Sequence, residues 1–368
     1  MGTPDVEQAV EDDRRRKRPL DGVRILAVEQ MAALPFATQL LARLGAEVVK
    51  VEHPTTGDSG RGSHPAVADP DGRPVGATFL RNNLNKRSLA IDLKQPEGVD
   101  LVLRLAPRFD VFGENFRAGT ADRLGIGYEA VRATHPAVVY LSISGFGQDP
   151  ASPYRDMGAY AAIVEGMSGI YEYKRAPGRP PAANPVGALG DISSALFGAV
   201  GVLAALRHRD HTGVGQHIDV AMLDATVAMT DIVANFHSLG VEREWGSGIG
   251  IVETFAASDG HFVLQCVREH HFATLCTEIG YPELADDERF ATRAGWQDHL
   301  DDVLRPAIES WASDRSLAEV VGILSGAGMA CGPSQTSAQV VADPHLAVRN
   351  MLVETLPSDD GNPVLVPG

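Results

Sequence analysis

The sequence predicts an α/β fold: a Rossmann-like large domain followed by a smaller α+β domain. From Val23 onward, short apolar runs of strand length alternate with helix-length segments, the pattern of parallel strands joined by crossover helices. Beyond Leu223 the character changes to a Gly-rich crossing, a hairpin signal and a series of helices. The length of 368 residues, 44% of them apolar, suffices for two hydrophobic cores.

Residues 1–17 are polar and read as a disordered tail with no apolar core, so no signal peptide is expected. Val23–Val28 reads as a strand, Pro35–Leu44 as a helix and Val48–Val51 as a second strand. Val99–Leu105 is helical, Val111-Phe112 ends a strand, and Val138–Ser144 is another strand. A long apolar helix follows over Ile192–Arg207, then a strand over Gln216–Met222 after a His-Thr-Gly-Val-Gly turn. These elements place the large domain at 18–223 and 331–368. A linker helix is expected at 224–244 and a small domain at 245–330. In the latter, Thr254–Val267 suggests a hairpin turning at Asp259-Gly260, with helices near 269–279, 297–313 and 316–326.

Composition excludes several classes. A net charge of −16 without an offsetting basic stripe argues against nucleic acid as a partner. The three cysteines, Cys266, Cys276 and Cys331, are too few and scattered for a disulfide framework or zinc site, so a cytoplasmic location is the default. No apolar run of membrane-spanning length stands out, and no membrane association is expected. The turn after the first strand reads Glu29-Gln-Met-Ala-Ala-Leu-Pro35 and lacks G-x-G-x-x-G, which speaks against nicotinamide or flavin. No G-x-S-x-G precedes a helix. His208, His211 and His217 cluster near a turn but have solvated, charged flanks, so no metal is expected.

Asp191 concentrates the chemistry. It closes Val186-Gly-Ala-Leu-Gly-Asp191 where a Gly-rich turn meets the long apolar helix. There a carboxylate can cap the free backbone N–H groups, or serve as an anion poised to attack a carbonyl. Asn82–Arg87, followed by Ile91–Lys94, is basic and amide-rich and can either grip phosphates or form an ordinary exposed loop. Glu114-Asn-Phe-Arg-Ala-Gly119, with Arg123, lies just beyond a strand carboxyl end, where open α/β sheets bind ligands.

Several phrases together resemble the class III CoA-transferases, the group that includes formyl-CoA and carnitine CoA-transferases and α-methylacyl-CoA racemase. They are Pro19–Leu26, Leu44–Glu52, Asn85–Ser88 with Asp92–Lys94, and Glu114–Arg117. Further on come Gly187–Asp191, Thr212–Gln216 with Asp219–Met222, and Cys331–Pro333 before Asp343-Pro-His345. The resemblance implies an interlocked, ring-like homodimer acting on an acyl-CoA and a small carboxylic acid. It implies Asp191 as nucleophile, passing through a mixed anhydride and an aspartyl-CoA thioester. It also implies coenzyme A contacts at Ile91, Lys94, Asn115, Phe116, Arg123 and Tyr160, with Lys94 and Arg123 near phosphates.

Departures from the pattern shape the alternatives. Racemases of this group carry an Asp where this chain has Ala161, and an alanine cannot move a proton. An acyl-CoA racemase or epimerase is therefore a weaker alternative, and a non-catalytic CoA-binding member is another. Near Ala32 the oxalate-specific transferase has a Gln, so oxalate is not the expected acceptor. Gly246–Gly250 is the candidate flexible loop. Members of the group continue past the Val-Pro-Gly found at 366–368 with a tail that packs on the large domain.

Overall fold

The structure, a computed structural model, describes residues 18–172, 178, 180–183, 187–240, 250–358 and 360–368. The expected tail at 1–17 and the Gly246–Gly250 loop, apart from Gly250, lie outside the described residues. Contacts gather the chain into two units, Met1–Leu239 with Val353–Gly368, and Gly240–Leu352.

The larger unit is built on six strands: β1 Arg24–Val28, β2 Glu47–Glu52, β3 Lys86–Ala90, β4 Val111–Glu114, β5 Val139–Ser144 and β6 His217–Ala221. They lie in the order β3-β2-β1-β4-β5-β6, and every pairing is parallel. The central strands are near-continuous apolar runs because both faces are covered. Alternation sorts β1 between two cores. Ile25 and Ala27 meet Leu34 and Leu41 of α1 (Ala33–Arg43). Leu26 and Val28 face Val102 of α2 (Pro96–Leu105) together with Phe112 and Tyr140. The buried Tyr140 hydroxyl donates to the Ile126 carbonyl at 2.9 Å, so its polar end is satisfied.

β3 overlaps the basic stretch Asn82–Arg87, for which the sequence suggests a loop. As an edge strand, β3 has an irregular, half-exposed pattern that carries little periodic signal. The long helix also exceeds its expected bounds. It runs from Leu189 to Thr212 as α4 (with α3 reserved for the short helix Ala161–Met167) and ends at Gly213, whose φ of 73° is the left-handed cap. By length and composition α4 could cross a membrane, contrary to the expectation that no apolar run reaches that length. Half of its apolar window is buried inside the unit, where Ala195, Ala199 and Val202 join the β1–β5 core.

The smaller unit holds an antiparallel sheet of β7 (Ile251–Ala257), β8 (Gly260–Cys266) and β9 (Ala330–Pro333), with β8 in the middle. The hairpin closes through Ser258-Asp259. Phe262, Leu264 and Cys266 alternate inward beneath the helices Glu269–Glu278 and Leu317–Gly326. Phe272 stacks on Trp296 with ring centroids 4.4 Å apart. Because β9 pairs with β8, the residues just beyond 330 stay with this unit. The chain rejoins the larger unit at Val353 rather than at 331. The expected linker helix at 224–244 is instead two helices, Met222–Ala228 and Asp231–Ser238.

Candidate active site

The strand order reverses at β1, whose neighbours β2 and β4 are followed outward by β3 and β5, so the β1 and β4 carboxyl ends border a crevice. The loop leaving β1 is tightly held. The Asn115 side chain, just past β4, accepts from Gln30 N at 3.0 Å and donates to Gln30 O at 2.9 Å. Met31 has a φ of 64°, a left-handed conformation uncommon for a residue with a Cβ. Its N–H is fixed by Asp58 Oδ1 at 2.9 Å.

Beneath that loop lies a buried ionic cluster. Lys86 Nζ donates to Glu29 Oε1 at 2.6 Å, and Lys50 Nζ to Asp58 Oδ2 at 2.5 Å. Thr38 Oγ1 donates to Glu29 Oε2 at 2.7 Å. Burial brings the Lys86 ammonium down to about 8 although Glu29 opposes the shift. Lys86 thus supports the loop and is not a phosphate grip, while Arg87 pairs with Glu47 at 2.8 Å. Both uses correct the reading of Asn82–Arg87 as a basic loop.

Asp191 stands in the first turn of α4. It is not the cap: the N-cap position is Ala188, which makes no side-chain cap bond, and the Asp191 carboxylate accepts no hydrogen bond among the described residues. The preceding glycine is required by packing. A Cβ on Gly190 would lie 2.6 Å from Val164 Cγ2 and 3.3 Å from Ala161 Cα, so only glycine lets α3 approach this closely. Burial pushes the Asp191 carboxyl up to about 6; the nearby Glu165 charge adds to the shift and Arg81 opposes it.

Asp191 opens into a cavity of about 300 Å³ that also takes in Gln30, Met31, Asn115, Phe116 and Tyr160. Two guanidinium groups, Arg117 and Arg155, also line it, beside Thr120 and Ser144. Arg117 has no hydrogen bond or ion pair from its side chain among the described residues. Gly158 makes room for it, since a Cβ there would lie 2.6 Å from Arg117 Nη2. A second cavity of about 190 Å³ contains Ile91, Lys94 and His53, and shares Gln30 and Phe116 with the first. Glu114, whose carboxylate accepts from Phe116 N at 2.8 Å, is pushed up to about 7 by burial, with Asp219 and Asp122 adding to the shift. The Asp191 carboxylate, raised by burial and with no hydrogen-bond donor among the described residues, is competent in this cationic cavity to attack an electrophilic carbonyl and form an acyl bond.

The sequence profile described as CoA-transferase family III matches residues 20–368. The chain belongs to CoA-transferase family III. It is an enzyme that transfers CoA between acids. It is 35% identical over 351 residues to the succinyl-CoA–D-citramalate CoA-transferase of Chloroflexus aurantiacus, covering 92% of this chain and 84% of that protein. It is 34% identical to the acetyl-CoA:oxalate CoA-transferase of Acetobacter aceti, covering 96% and 90%. Its fold matches the crystal structure of a CAIB/BAIF family protein from Brucella suis with a TM-score of 0.81 and 32% identity, covering 95% of each chain.

Within this class III CoA-transferase, the residues singled out from sequence fall into three places. Asn115, Phe116, Tyr160 and Asp191 share the larger cavity, and Ile91, Lys94 and Phe116 the smaller. Arg123 lies outside both, exposed, donating to Thr120 Oγ1 at 2.8 Å. Thr120 itself lines the larger cavity. Gln30, Met31, His53, Arg155 and Glu165 are not marked by any sequence motif. Gln30 and Met31 stand at the first strand's carboxyl end, a position the sheet rule points to. Arg155 and Glu165 carry no such signal.

Proposed function

We propose that this enzyme moves CoA from an acyl-CoA donor to a carboxylic acid through covalent intermediates on Asp191. One observation carries the reading: the Asp191 carboxylate, raised to about 6 and accepting no hydrogen bond among the described residues, opens into a cavity with two guanidinium groups. A carboxylate oxygen attacks the donor thioester carbon. The C–S bond breaks, CoA leaves as thiolate, and a mixed anhydride remains. The thiolate then attacks the Asp191 carbonyl and expels the donor acid, leaving an aspartyl-CoA thioester. The acceptor carboxylate attacks that thioester and releases CoA thiolate, which takes the acceptor's acyl group and restores Asp191. Each step exchanges one acyl bond for another, so no water is consumed and none is welcome.

In this reading Ile91, Phe116 and Lys94 hold the CoA moiety, with Lys94 and Arg123 near its phosphates. The acids are dicarboxylic. The relative named for succinyl-CoA and D-citramalate supports this, as does a guanidinium, Arg117, on the cavity wall for a carboxylate that does not react. A racemase is disfavoured because Ala161, packed on Gly190, offers no ionisable group. The active form is a homodimer, which an exposed apolar stripe of Leu196, Phe197, Val200 and Leu203 on α4 supports. Three free cysteines fit a cytoplasmic protein.

The test is a mass-spectrometric panel in heavy water, with acyl-CoA donors each mixed with mono- and dicarboxylic acids. A new CoA thioester on the added acid, lost in Asp191→Ala, is the expected result. Undiminished transfer by Asp191→Ala would overturn the covalent route. Deuterium at the donor α-carbon without a new thioester would restore the racemase.

A further inference from the structure

The start of α4 is held by a residue from another helix. Glu165, in α3, is 2% exposed. One of its carboxylate oxygens, Oε1, accepts from the backbone N–H of Gly190 at 3.1 Å, and the other, Oε2, accepts from the Tyr171 hydroxyl at 3.0 Å. Gly190 immediately precedes Asp191, and the helix has no side-chain cap of its own at Ala188. The first-turn N–H that a cap residue would satisfy therefore goes to Glu165. The Gly190–Val164 close approach places α3 against α4 at the same point.

We propose that Glu165 is a positioning residue for the nucleophile: it ties the first turn of α4 to α3 and sets a second negative charge beside Asp191, strengthening Asp191 for attack. The proposal rests on the covalent reading given above.

Both parts have a physical reason. A helix start anchored at Gly190 fixes where the Asp191 carboxylate enters the cavity, and small misplacements of a nucleophile lower rates steeply. A neighbouring carboxylate disfavours a second anion, so Asp191 keeps its electrons more available than an isolated aspartate does. The charged and titratable groups around Asp191 come from several elements. Glu165 lies on α3, Arg81 on the helix Ala77–Asn82, Arg117 past β4, and Arg155 and Tyr160 on the segment before α3. Burial raises Asp191 first and Glu165 second, while Arg81 works against both.

Two variants separate the charge from the tether. Glu165→Gln removes the charge and keeps groups able to bond Gly190 and Tyr171. Glu165→Asp keeps the charge and withdraws it from Gly190 by one methylene. The readouts are the pH profile of kcat/KM for the acyl-CoA donor, and the rate at which intact-protein mass spectrometry detects the CoA adduct on Asp191. In the wild type the acid limb is expected near pH 6. In Glu165→Gln it moves down by about one pH unit, and adduct formation at pH 8 slows by about tenfold. In Glu165→Asp the limb stays near its wild-type position while kcat falls by about tenfold. An unmoved limb in Glu165→Gln, or full kcat in Glu165→Asp, overturns the proposal. If Glu165→Gln does not fold, the Glu165→Asp comparison still decides the tether. Absence of any adduct or transfer in the wild type would be failure of the covalent reading, and is seen before either variant is made.

Discussion

Replacing Asp191 with asparagine should make the protein more stable and inactive at the same time. In the folded protein the Asp191 carboxyl lies at about 6, against an ordinary value of 3.8. The unfolded chain ionises first as pH rises, so the folded state loses relative stability between about pH 4 and 6, and the whole penalty is present above that window. A shift of roughly two units corresponds to about 3 kcal/mol at pH 8. Solvent reaching the part-exposed carboxylate reduces that to about 2 kcal/mol. Asparagine has no charge to bury and retains the shape, so Asp191→Asn recovers the difference at pH 8 and only about a third of it at pH 4.5. With an unfolding entropy of about 0.8 kcal/mol/K for a chain of this length, the melting temperature rises by roughly 2–3 °C at pH 8. Thermal unfolding followed by fluorescence at both pH values, with a transfer assay on the same samples, measures it. A variant no more stable than wild type at pH 8, or one whose gain is equal at both pH values, would refute the reasoning. The Asp191 carboxylate would then not be held against an electrostatic penalty.

Further expectations follow from the same geometry. Lys94→Ala should raise KM for the acyl-CoA donor by about five- to tenfold with little change in kcat, since an exposed ammonium beside the smaller cavity contributes binding rather than chemistry. Steady-state kinetics at two salt concentrations would show it, and an unchanged KM would refute the proposed contact of Lys94 with CoA. Gly190→Ala forces a Cβ against Val164 and should destabilise the larger unit by about 1–3 kcal/mol while lowering transfer by about tenfold. Wild-type stability in chemical denaturation would mean α3 can retreat freely. Lys86→Met leaves Glu29 buried with the Thr38 hydroxyl and, as a cation among the described residues, the more distant Lys50 at 3.6 Å, and should cost about 3–5 kcal/mol in urea unfolding. A neutral outcome would show that Glu29 takes up a proton readily in the variant.

The sequence by itself determined the alternation of strands and helices, because an apolar run of strand length followed by an amphipathic segment has few other ways to bury its surface. β1, β2, β4, β5 and β6 were legible in this way, as was the hairpin over Ile251–Cys266. The position of Asp191 at a helix start was legible too, because glycine before an apolar helical run marks the place where the chain turns in. Tertiary structure decided the rest. β3 was hidden because an edge strand exposes half its residues, and β9 because four residues acquire strand character only by pairing with β8. Whether Asp191 would cap its helix or stand free could not be read locally; the competing acceptor, Glu165, comes from a helix that precedes it by more than twenty residues. Lys86, a candidate phosphate ligand by composition, turns inward because Glu29 is buried opposite it. Local pattern reports what a segment prefers. Which charge meets which, and how far water is excluded from them, depends on residues brought together only when the sheet assembles.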